Sequence, residues 1–255
     1  MRAASVNTGN SVHLSLIIPT LNRVTTARLL GERVRSLLPG LNVETIVVTP
    51  APEAGSDAGL HYVEDRRRGV YAAYNSGLRD ARGEFVWFMG DDDYPLDGAA
   101  ILADLLTNSD ADVFVAPVVL STGRIYRPKR SRLLLHFLNW CQQGVVYRRS
   151  LFERYRLYSR LKVQADQYVN VLLRCDPEVA IRFLPEPLCM FGVSGVSGQR
   201  LDGKYRALRL ALAARTLGPI DLALFRALTL VEPVVKSWLG KVLTGRASVP
   251  IDRST

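Results

Sequence analysis

The residues best suited to chemistry form one acidic run. Asp91, Asp92 and Asp93 directly follow the segment Glu84–Met89, whose pattern predicts a strand buried on both faces. Ligands of open α/β sheets bind where strands end. Three adjacent negative charges repel one another, so the run favours a hard divalent cation with oxygen ligands, Mg²⁺ or Mn²⁺, which could bridge to a diphosphate. A solvated acidic turn that caps the next helix is the alternative, and these residues alone leave both interpretations open.

A basic run lies upstream of the acidic one. Arg66, Arg67 and Arg68 immediately precede Gly69. Guanidinium groups bind phosphate and carboxylate with paired hydrogen bonds, so this run could neutralise phosphates or another anionic ligand. A solvated loop is the competing interpretation, because charge runs usually lie on exposed faces.

Composition narrows the class of protein. The 255-residue chain has 33 Lys and Arg against 24 Asp and Glu, a formal net charge of +9, and 48% hydrophobic residues, which excludes wholesale disorder. The positive charge suits phosphates, nucleic acid or an anionic membrane surface. No RNA-binding aromatic motif, zinc spacing or helix-turn-helix pattern accompanies it, so nucleic-acid binding is the weaker alternative. The three cysteines have an odd count and no metal-ligand spacing, which predicts a reducing, cytoplasmic compartment.

The elements that must position these residues alternate in the first half of the chain. Helices are predicted over Thr26–Leu38 and from near Tyr71 until Gly83 stops the helix. Strands are predicted over Leu14–Ile18, Val43–Thr49 and Glu84–Met89. This alternation is typical of a mostly parallel sheet covered by helices.

The second half has a mixed pattern. Helices are predicted over Asp97–Asn108 and Ala165–Arg174. Short strands are predicted over Asp112–Ala116, Val179–Leu184, Leu188–Phe191 and both flanks of Ser121–Gly123. The second half is therefore predicted to be α+β.

The tail from Lys204 onward is basic and amphipathic. Leu224, Leu228 and Val231 follow helical spacing, with Lys236 and Lys241 nearby. Packing against the rest of the fold and binding to a membrane surface or partner both remain open. Charged residues and a proline interrupt its most apolar part, so no bilayer-spanning helix is expected.

Four segments, in order and at matching spacing, resemble the family 2 glycosyltransferases, which are inverting sugar-nucleotide enzymes with the GT-A fold. The likeness is greatest to the bacterial branch that builds polysaccharide, and it covers about Leu14–Ser197. The segments are Leu16–Arg23, Gly69–Gly77, Gly83–Asp93, and Gln143–Arg149 together with Ala165–Asp166. The resemblance implies an α/β fold: a GT-A-like, Rossmann-type mixed sheet flanked by helices, with a C-terminal helical extension.

The resemblance also implies roles for individual residues. Asp166 would be the catalytic base that accepts a proton from the acceptor hydroxyl, and Asp93, followed by Asp91, would bind the metal. Without the resemblance, Asp166 would be assigned as a helix cap. The donor-binding set would be Pro19, Thr20, Asn22, Arg23, Asn75, Arg79, Asp91 and Asp92, with phosphate or acceptor contacts from Arg68, Ser197 and Arg200.

The resemblance divides the chain into three parts. Residues 1–13 would form a tail, residues 14–200 the catalytic domain, and residues 201–255 the basic extension. Within the catalytic domain, residues 14–98 would form the donor half and residues 99–200 the acceptor half.

Three departures from the family pattern limit what can be inferred. Thr49–Pro52 replaces the Asp-Gly or Asp-Asp pair with which the family usually reads the donor base, and this leaves UDP, dTDP and GDP donors open. Ala72 and Tyr168 replace two further acidic residues. A catalytically weak or silent partner subunit is therefore the main alternative function.

The expected function is a metal-dependent inverting glycosyltransferase of polysaccharide or glycolipid biosynthesis. It would move a sugar from a nucleotide-sugar donor to a saccharide or lipid-linked acceptor, with Mg²⁺ or Mn²⁺ as cofactor. We expect a cytoplasmic protein with peripheral membrane contact through residues 204–246, and no nucleic-acid partner.

Overall fold

The computed structural model describes residues 11–52, 59–66, 68–157, 160–192 and 203–244, with the side chains of the last range described as far as Glu232. The strands are β1 Leu14–Pro19, β2 Val43–Thr49, β3 Leu60–Glu64, β4 Phe85–Phe88, β5 Tyr94–Pro95, β6 Val113–Val115, β7 Val118–Leu120, β8 Ile125–Tyr126, β9 Val145–Arg148, β10 Ile181–Phe183 and β11 Cys189–Phe191. The α-helices are α1 Val24–Leu37, α2 Val70–Asp80, α3 Leu102–Asn108, α4 Arg132–Leu135, α5 Leu151–Arg154, α6 Ala165–Cys175, α7 Gly203–Thr216 and α8 Pro219–Thr244. Two 3₁₀ helices span Asp97–Ile101 and Gln142–Gly144.

A seven-stranded sheet forms the centre of the molecule, in the order β10-β6-β9-β4-β1-β2-β3. β1, β2, β3 and β4 run parallel to one another, whereas β9 is antiparallel to both of its neighbours. The predicted mixed sheet is thus confirmed. Because β1 and β4 are parallel neighbours, their carboxyl ends meet at one edge, and Thr20 and Asp91 are brought together there.

Helices cover both faces of this sheet. α1 buries Leu30 and Val34 against one face, and α2 buries Tyr71 and Tyr74 against the other. α2 lies very close to β1, because a Cβ at Gly77 would come within 2.5 Å of Ile17 Cγ2. These layers hold α2 rigidly beside the carboxyl ends of the strands.

The longest predicted elements are confirmed, with differences at their ends. The helix predicted from Asp97 begins as a 3₁₀ turn and becomes α-helical at Leu102. Gly83 does not end α2, which stops at Asp80. Gly83 is required for a different reason: a Cβ at this position would lie 2.5 Å from the backbone nitrogen of Ser15.

A smaller four-stranded sheet, in the order β5-β11-β7-β8, lies beside the acidic run. It includes the two strands predicted around Ser121–Gly123. β5 has only two residues and begins immediately after Asp93, where it pairs with β11. This pairing holds the acidic run beside Gly192, the residue directly after β11.

The C-terminal helices pack on α4 and α6. Phe225 is 1% exposed and its ring packs edge-on against His136, with ring centroids 5.3 Å apart. Arg209 of α7 is buried and pairs with Glu232 of α8 at 2.6 Å. The apolar face predicted from the sequence is not buried against the rest of the fold, since Leu224 remains 49% exposed. Lys236 and Lys241 lie outside the described side chains.

Within the described part of the chain, no helix combines the length and the apolar character needed to span a membrane.

Candidate active site

The loop after β1 is fastened to the acidic run. Thr20 Oγ1 donates a hydrogen bond to Asp91 Oδ2 at 2.5 Å, and it accepts one from the backbone amide of Arg23 at 2.9 Å. The guanidinium of Arg23 lies 3.9 Å from Asp91 Oδ1. Thr20 is buried, whereas Asn22 and Arg23 are exposed and Pro19 is half-buried. Two segments predicted to bind the donor therefore do meet.

Asp93 is buried beneath this turn. Its Oδ2 accepts a hydrogen bond from the backbone amide of Gly90 at 2.6 Å, and its Oδ1 accepts one from Gly192 at 3.2 Å. Burial raises the pKa of Asp93 to about 7, the backbone hydrogen bonds oppose this rise, and the charge of Asp92 adds to it. A cation beside Asp93 would favour its ionised form.

Asp92 is the exposed member of the run. Its side chain lies between two glycines: a Cβ at Gly192 would come within 2.6 Å of Asp92 Oδ2, and one at Gly90 within 2.8 Å of Asp92 Oδ1. Glycine at both positions therefore allows this close approach. Asp92 and Asp93 both contact Gly90, so their carboxylates share one side of the turn.

The acidic run fits a cation that takes only part of its coordination from protein. Across the described residues, no group of three or more His, Cys, Asp or Glu side chains is arranged to hold a metal by itself. Mg²⁺ is commonly bound by one or two carboxylates, with substrate phosphates and water completing its shell. Asp93, with its raised pKa, and the exposed Asp92 offer carboxylate oxygens of this kind, whereas Asp91 is engaged by Thr20 and Arg23.

Asp166 lies in the first turn of α6, and side chains from two other segments hold it. Tyr71 of α2 donates to its Oδ1 at 2.6 Å, and Asn139 donates to its Oδ2 at 2.5 Å. Burial raises the pKa of Asp166, while the hydrogen bonds from Tyr71, the Gln167 backbone and Asn139 lower it. The cap position of α6 is Gln164 rather than Asp166, so helix capping alone does not account for this carboxylate.

Two side chains lie within electrostatic reach of both acidic groups. Burial raises the pKa of Tyr74 and of Cys141, and the charges of Asp93 and Asp166 raise each of them further. Tyr74 projects from α2 and is fully enclosed by the core around Phe88. The carboxylates of Asp93 and Asp166 therefore both lie near the side chains of Tyr74 and Cys141.

Three further predicted residues lie on or beside α2. Asn75 donates to the backbone oxygen of Leu157 at 2.8 Å, which fastens the segment before α6 to α2. Arg68 is exposed at the bend before α2. Arg79 is exposed in the last turn of α2 and bonds Ser76 on its own helix. Just beyond this helix, Arg82 and Gly83 bond Glu44 and Ser15 near the amino ends of β2 and β1, so the structure does not bring Arg79 to the acidic run. Ser197 and Arg200 lie outside the described residues.

The structure adds residues that the sequence did not single out. Tyr71 belongs to the recognised segment Gly69–Gly77, but no spacing rule linked it to Asp166. Asn139 lies 27 residues before its partner and outside the recognised segments. Asp65 follows β3, and its backbone amide donates to Thr49 at 2.8 Å. A carboxylate residue thus stands next to the strand end where the expected acidic pair is missing.

The chain is similar in sequence to proteins of one family. The sequence model of the family "Glycosyl transferase family 2" matches residues 15–177. Curated relatives named PGL/p-HBAD biosynthesis glycosyltransferase, from Mycobacterium tuberculosis and Mycobacterium bovis, are 28% identical over 174 residues, covering 65% of this chain and 66% of theirs. The chain thus spans slightly less than two thirds of the length of these relatives.

Solved structures share the fold. S. aureus TarS 1-349 in complex with UDP-GlcNAc aligns with a TM-score of 0.63 and 18% identity, covering 84% of this chain and 71% of TarS. The mannosyltransferase PcManGT from Pyrobaculum calidifontis, in complex with GDP-Man and Mn²⁺, aligns with a TM-score of 0.52 and 18% identity, covering 90% of this chain and 84% of its own. The match of the family's sequence model to well over half of the chain shows that this protein belongs to glycosyl transferase family 2.

Proposed function

We propose that the protein is a metal-dependent, inverting glycosyltransferase that moves a sugar from a nucleotide-sugar donor to a hydroxyl acceptor in polysaccharide or glycolipid biosynthesis. The observation that carries this proposal is a buried, hydrogen-bonded Asp166 whose charge, like that of Asp93 in the acidic run, acts on both Tyr74 and Cys141. The names of the curated relatives and the nucleotide sugars held by the structural neighbours support it.

Asp166 acts as the general base in this proposal. The acceptor hydroxyl oxygen attacks the anomeric carbon from the face opposite the nucleotide, and its proton passes to the Asp166 carboxylate. The bond between the anomeric carbon and the phosphate oxygen breaks, and its electron pair leaves with the nucleoside diphosphate. Attack and departure on opposite faces invert the configuration, through an oxocarbenium-like transition state.

The donor would lie along the edge formed by β1 and β4. Pro19, Thr20, Asn22 and Arg23 form the loop beside the acidic run, and Thr20 ties that loop to Asp91. Arg23 already faces a carboxylate and could turn its guanidinium toward a phosphate. Asn75 would border the nucleotide, with Asp65 near the position expected to read the base.

Asp93 and Asp91, together with the exposed Asp92, would hold Mg²⁺ or Mn²⁺. When bound, the cation supplies Lewis-acid stabilisation to the leaving diphosphate. The task of the chain's own residues is to keep the carboxylates ionised and aimed. The backbone amides of Gly90 and Gly192 do this for Asp93, and Thr20 does it for Asp91.

A lipid-linked acceptor at the cytoplasmic face of a membrane fits the charge of the acceptor half. Residues 124–132 hold five basic residues and no acidic residue, and all five are exposed. The segment is tied to the site, since Trp140 donates to the backbone oxygen of Lys129 at 2.8 Å and Tyr126 donates to that of Asn139 at 2.5 Å. The exposed Leu224 and Leu228 of α8 would supply apolar contact with the bilayer.

Nucleotide binding followed by turnover tests the proposal. Thermal unfolding would be measured with UDP, dTDP, GDP and CMP, each with and without Mn²⁺, and a nucleotide sugar of the stabilising base would then be offered with a lipid-phosphate acceptor. We expect one nucleotide to stabilise the fold in a Mn²⁺-dependent manner and sugar transfer to follow. Asp104→Asn removes an exposed carboxylate on α3 and is the charge-matched control for Asp93→Asn. It should behave as wild type. Failure of every nucleotide to bind the folded protein would favour a silent partner subunit.

A further inference from the structure

A chain of side-chain hydrogen bonds ends on Asp166. The hydroxyl of Tyr147 donates to Asn170 Oδ1 at 2.9 Å, and Asn170 Nδ2 donates to Asn139 Oδ1 at 3.0 Å. Asn139 Nδ2 then donates to Asp166 Oδ2 at 2.5 Å. These residues come from β9, from α6 and from the segment after α4, so the chain connects three parts of the fold.

Chemistry fixes the direction of this chain. An ionised carboxylate can only accept hydrogen bonds, so the amide nitrogen of Asn139 must face Asp166. The oxygen of Asn139 then faces away and needs a donor, which must be the amide nitrogen of Asn170. The remaining oxygen of Asn170 in turn requires the Tyr147 hydroxyl as its donor.

The far end of the chain is anchored in the core. Tyr147 is 1% exposed and Asn170 is fully buried. The ring of Tyr147 packs against Phe152 and Phe88, with centroid distances of 5.4 and 6.0 Å. The hydroxyl that begins the chain therefore has little freedom to move.

We propose that Tyr147, Asn170 and Asn139 form a relay of positioning residues that locks Asn139 as a donor and thereby keeps Asp166 ionised and aimed at the acceptor. This inference rests on the proposed role of Asp166 as the base. It assigns a function to three polar side chains that neither contact the acidic run nor belong to the predicted donor site.

The tyrosines and the cysteine near Asp166 do not determine whether it is ionised. The charge of Asp166 reaches five titratable groups on the elements packed around it, and burial raises the pKa of every one of them. The charge of Arg209 opposes that rise at Tyr205. The groups are Tyr71 and Tyr74 of α2, Cys141 before β9, Tyr147 of β9 and Tyr205 of α7. These groups remain neutral near pH 7, so hydrogen bonding is what offsets the burial of Asp166.

The relay also explains how a buried Asp166 remains ionised. Tyr71 and Asn139 donate to different carboxylate oxygens, and the backbone of Gln167 adds a further hydrogen bond. Loss of a relay member would leave the Asn139 amide free to rotate its oxygen toward Asp166, which disfavours the ionised carboxylate. The protonated form would then persist to higher pH.

Two readouts on the full-length protein test the relay. The first is the ¹³C carboxyl titration of Asp166, assigned with Asp166→Asn, and the second is the pH profile of sugar transfer. Tyr147→Phe removes only the first hydroxyl, and we expect it to move both midpoints upward by a few tenths of a pH unit; Asn139→Ala should move them by about one unit. Tyr205→Phe is the matched control, since its buried hydroxyl makes no hydrogen bond with the described residues, and it should move neither.

The outcomes separate the relay from the proposed function. An Asp166 titration that is the same in wild type, Tyr147→Phe and Asn139→Ala would overturn the relay. A carboxyl midpoint that moves while the transfer profile does not would support the relay and remove Asp166 as the base. Because Tyr147→Phe keeps the aromatic ring, its circular dichroism and unfolding transition should confirm that the core is intact.

Discussion

The two acidic groups of the site are built in opposite ways. Asp91–Asp93 are adjacent in sequence, and backbone amides and the neighbouring β1 loop hold them. Asp166 is a single carboxylate, held by side chains that lie 95 and 27 residues away. The first group can be found by reading the chain locally, whereas the second becomes meaningful only once α2, α6 and the segment after α4 have packed together.

This difference suggests a division of labour. Every residue type except proline keeps its backbone N–H, so backbone amides suit a turn that must keep a fixed shape for a cation and a diphosphate. Side-chain donors can tune the pKa of a carboxylate, and a general base depends on that pKa. Removing members of either group should therefore produce different kinds of defect.

The largest expected effect is loss of turnover in Asp166→Asn. The substitution keeps the size of the side chain but removes the proton acceptor, so transfer should fall by about 10²- to 10⁴-fold. Stability should be maintained or increased, because the pKa of this carboxylate is raised by its burial. Single-turnover transfer and urea unfolding on the same preparation would check both expectations. Near-wild-type transfer would mean that the base lies elsewhere.

Substitutions in the acidic run should act on cation binding instead. We expect Asp93→Asn to weaken Mn²⁺-dependent nucleotide binding by about 10- to 100-fold, on the scale of losses at metal sites. Asp91→Asn should have a smaller effect, since Thr20 and Arg23 already engage that side chain. Calorimetry of the three single Asp→Asn variants would rank the carboxylates, and the largest loss in Asp92→Asn would move the principal ligand to the exposed residue.

The pH dependence of stability should also separate the groups. The pKa of Asp93 is about 7 in the folded protein, against an ordinary value of 3.8. Between these values the folded state binds more protons than the unfolded state, so this residue's contribution to the free energy of unfolding falls as the pH rises from about 4 to 7. Without divalent cations, wild type should lose more stability than Asp93→Asn between pH 5 and pH 8. Equal losses in urea unfolding would contradict this assignment.

The smallest expected effect is at Thr20. Thr20→Val preserves the shape of the side chain but removes its hydrogen bond to Asp91. A hydrogen bond to a charged group contributes about 1.5 to 3 kcal/mol to the free energy of unfolding. Nucleotide affinity should fall about tenfold or less, while the pH profile of transfer stays unchanged. A shifted pH profile would mean that the contact between Thr20 and Asp91 influences the pKa of Asp166.

The sequence was informative where a pattern is local. β1, α1 and β2 follow from continuous apolar runs and a 3.6-residue period, and the acidic run follows from its position after β4. The two-residue β5 and the edge strand β3 are too short or too exposed to leave such a pattern. The packed face of α8 also escaped prediction, because Phe225 inserts beside His136 while the more regular stripe of leucines stays exposed.

The candidate site was predictable only in part for the same reason. Asp91–Asp93 and Asp166 could be named from recognised segments, but Tyr71 and Asn139 acquire their importance through tertiary hydrogen bonds. Asn75 shows the converse: it lies in a recognised segment, yet its amide bonds the Leu157 backbone. Membership of a segment thus places a residue near the site without fixing its contacts.

The most direct test of the central claim is calorimetric titration of the preferred nucleoside diphosphate, with Mn²⁺, into Asp166→Asn and Asp93→Asn side by side. We expect Asp166→Asn to bind as wild type does and Asp93→Asn to bind much more weakly, because the two carboxylates serve different steps. Equal weakening in both variants, or weakening in Asp166→Asn alone, would contradict the proposed separation of metal binding from proton transfer.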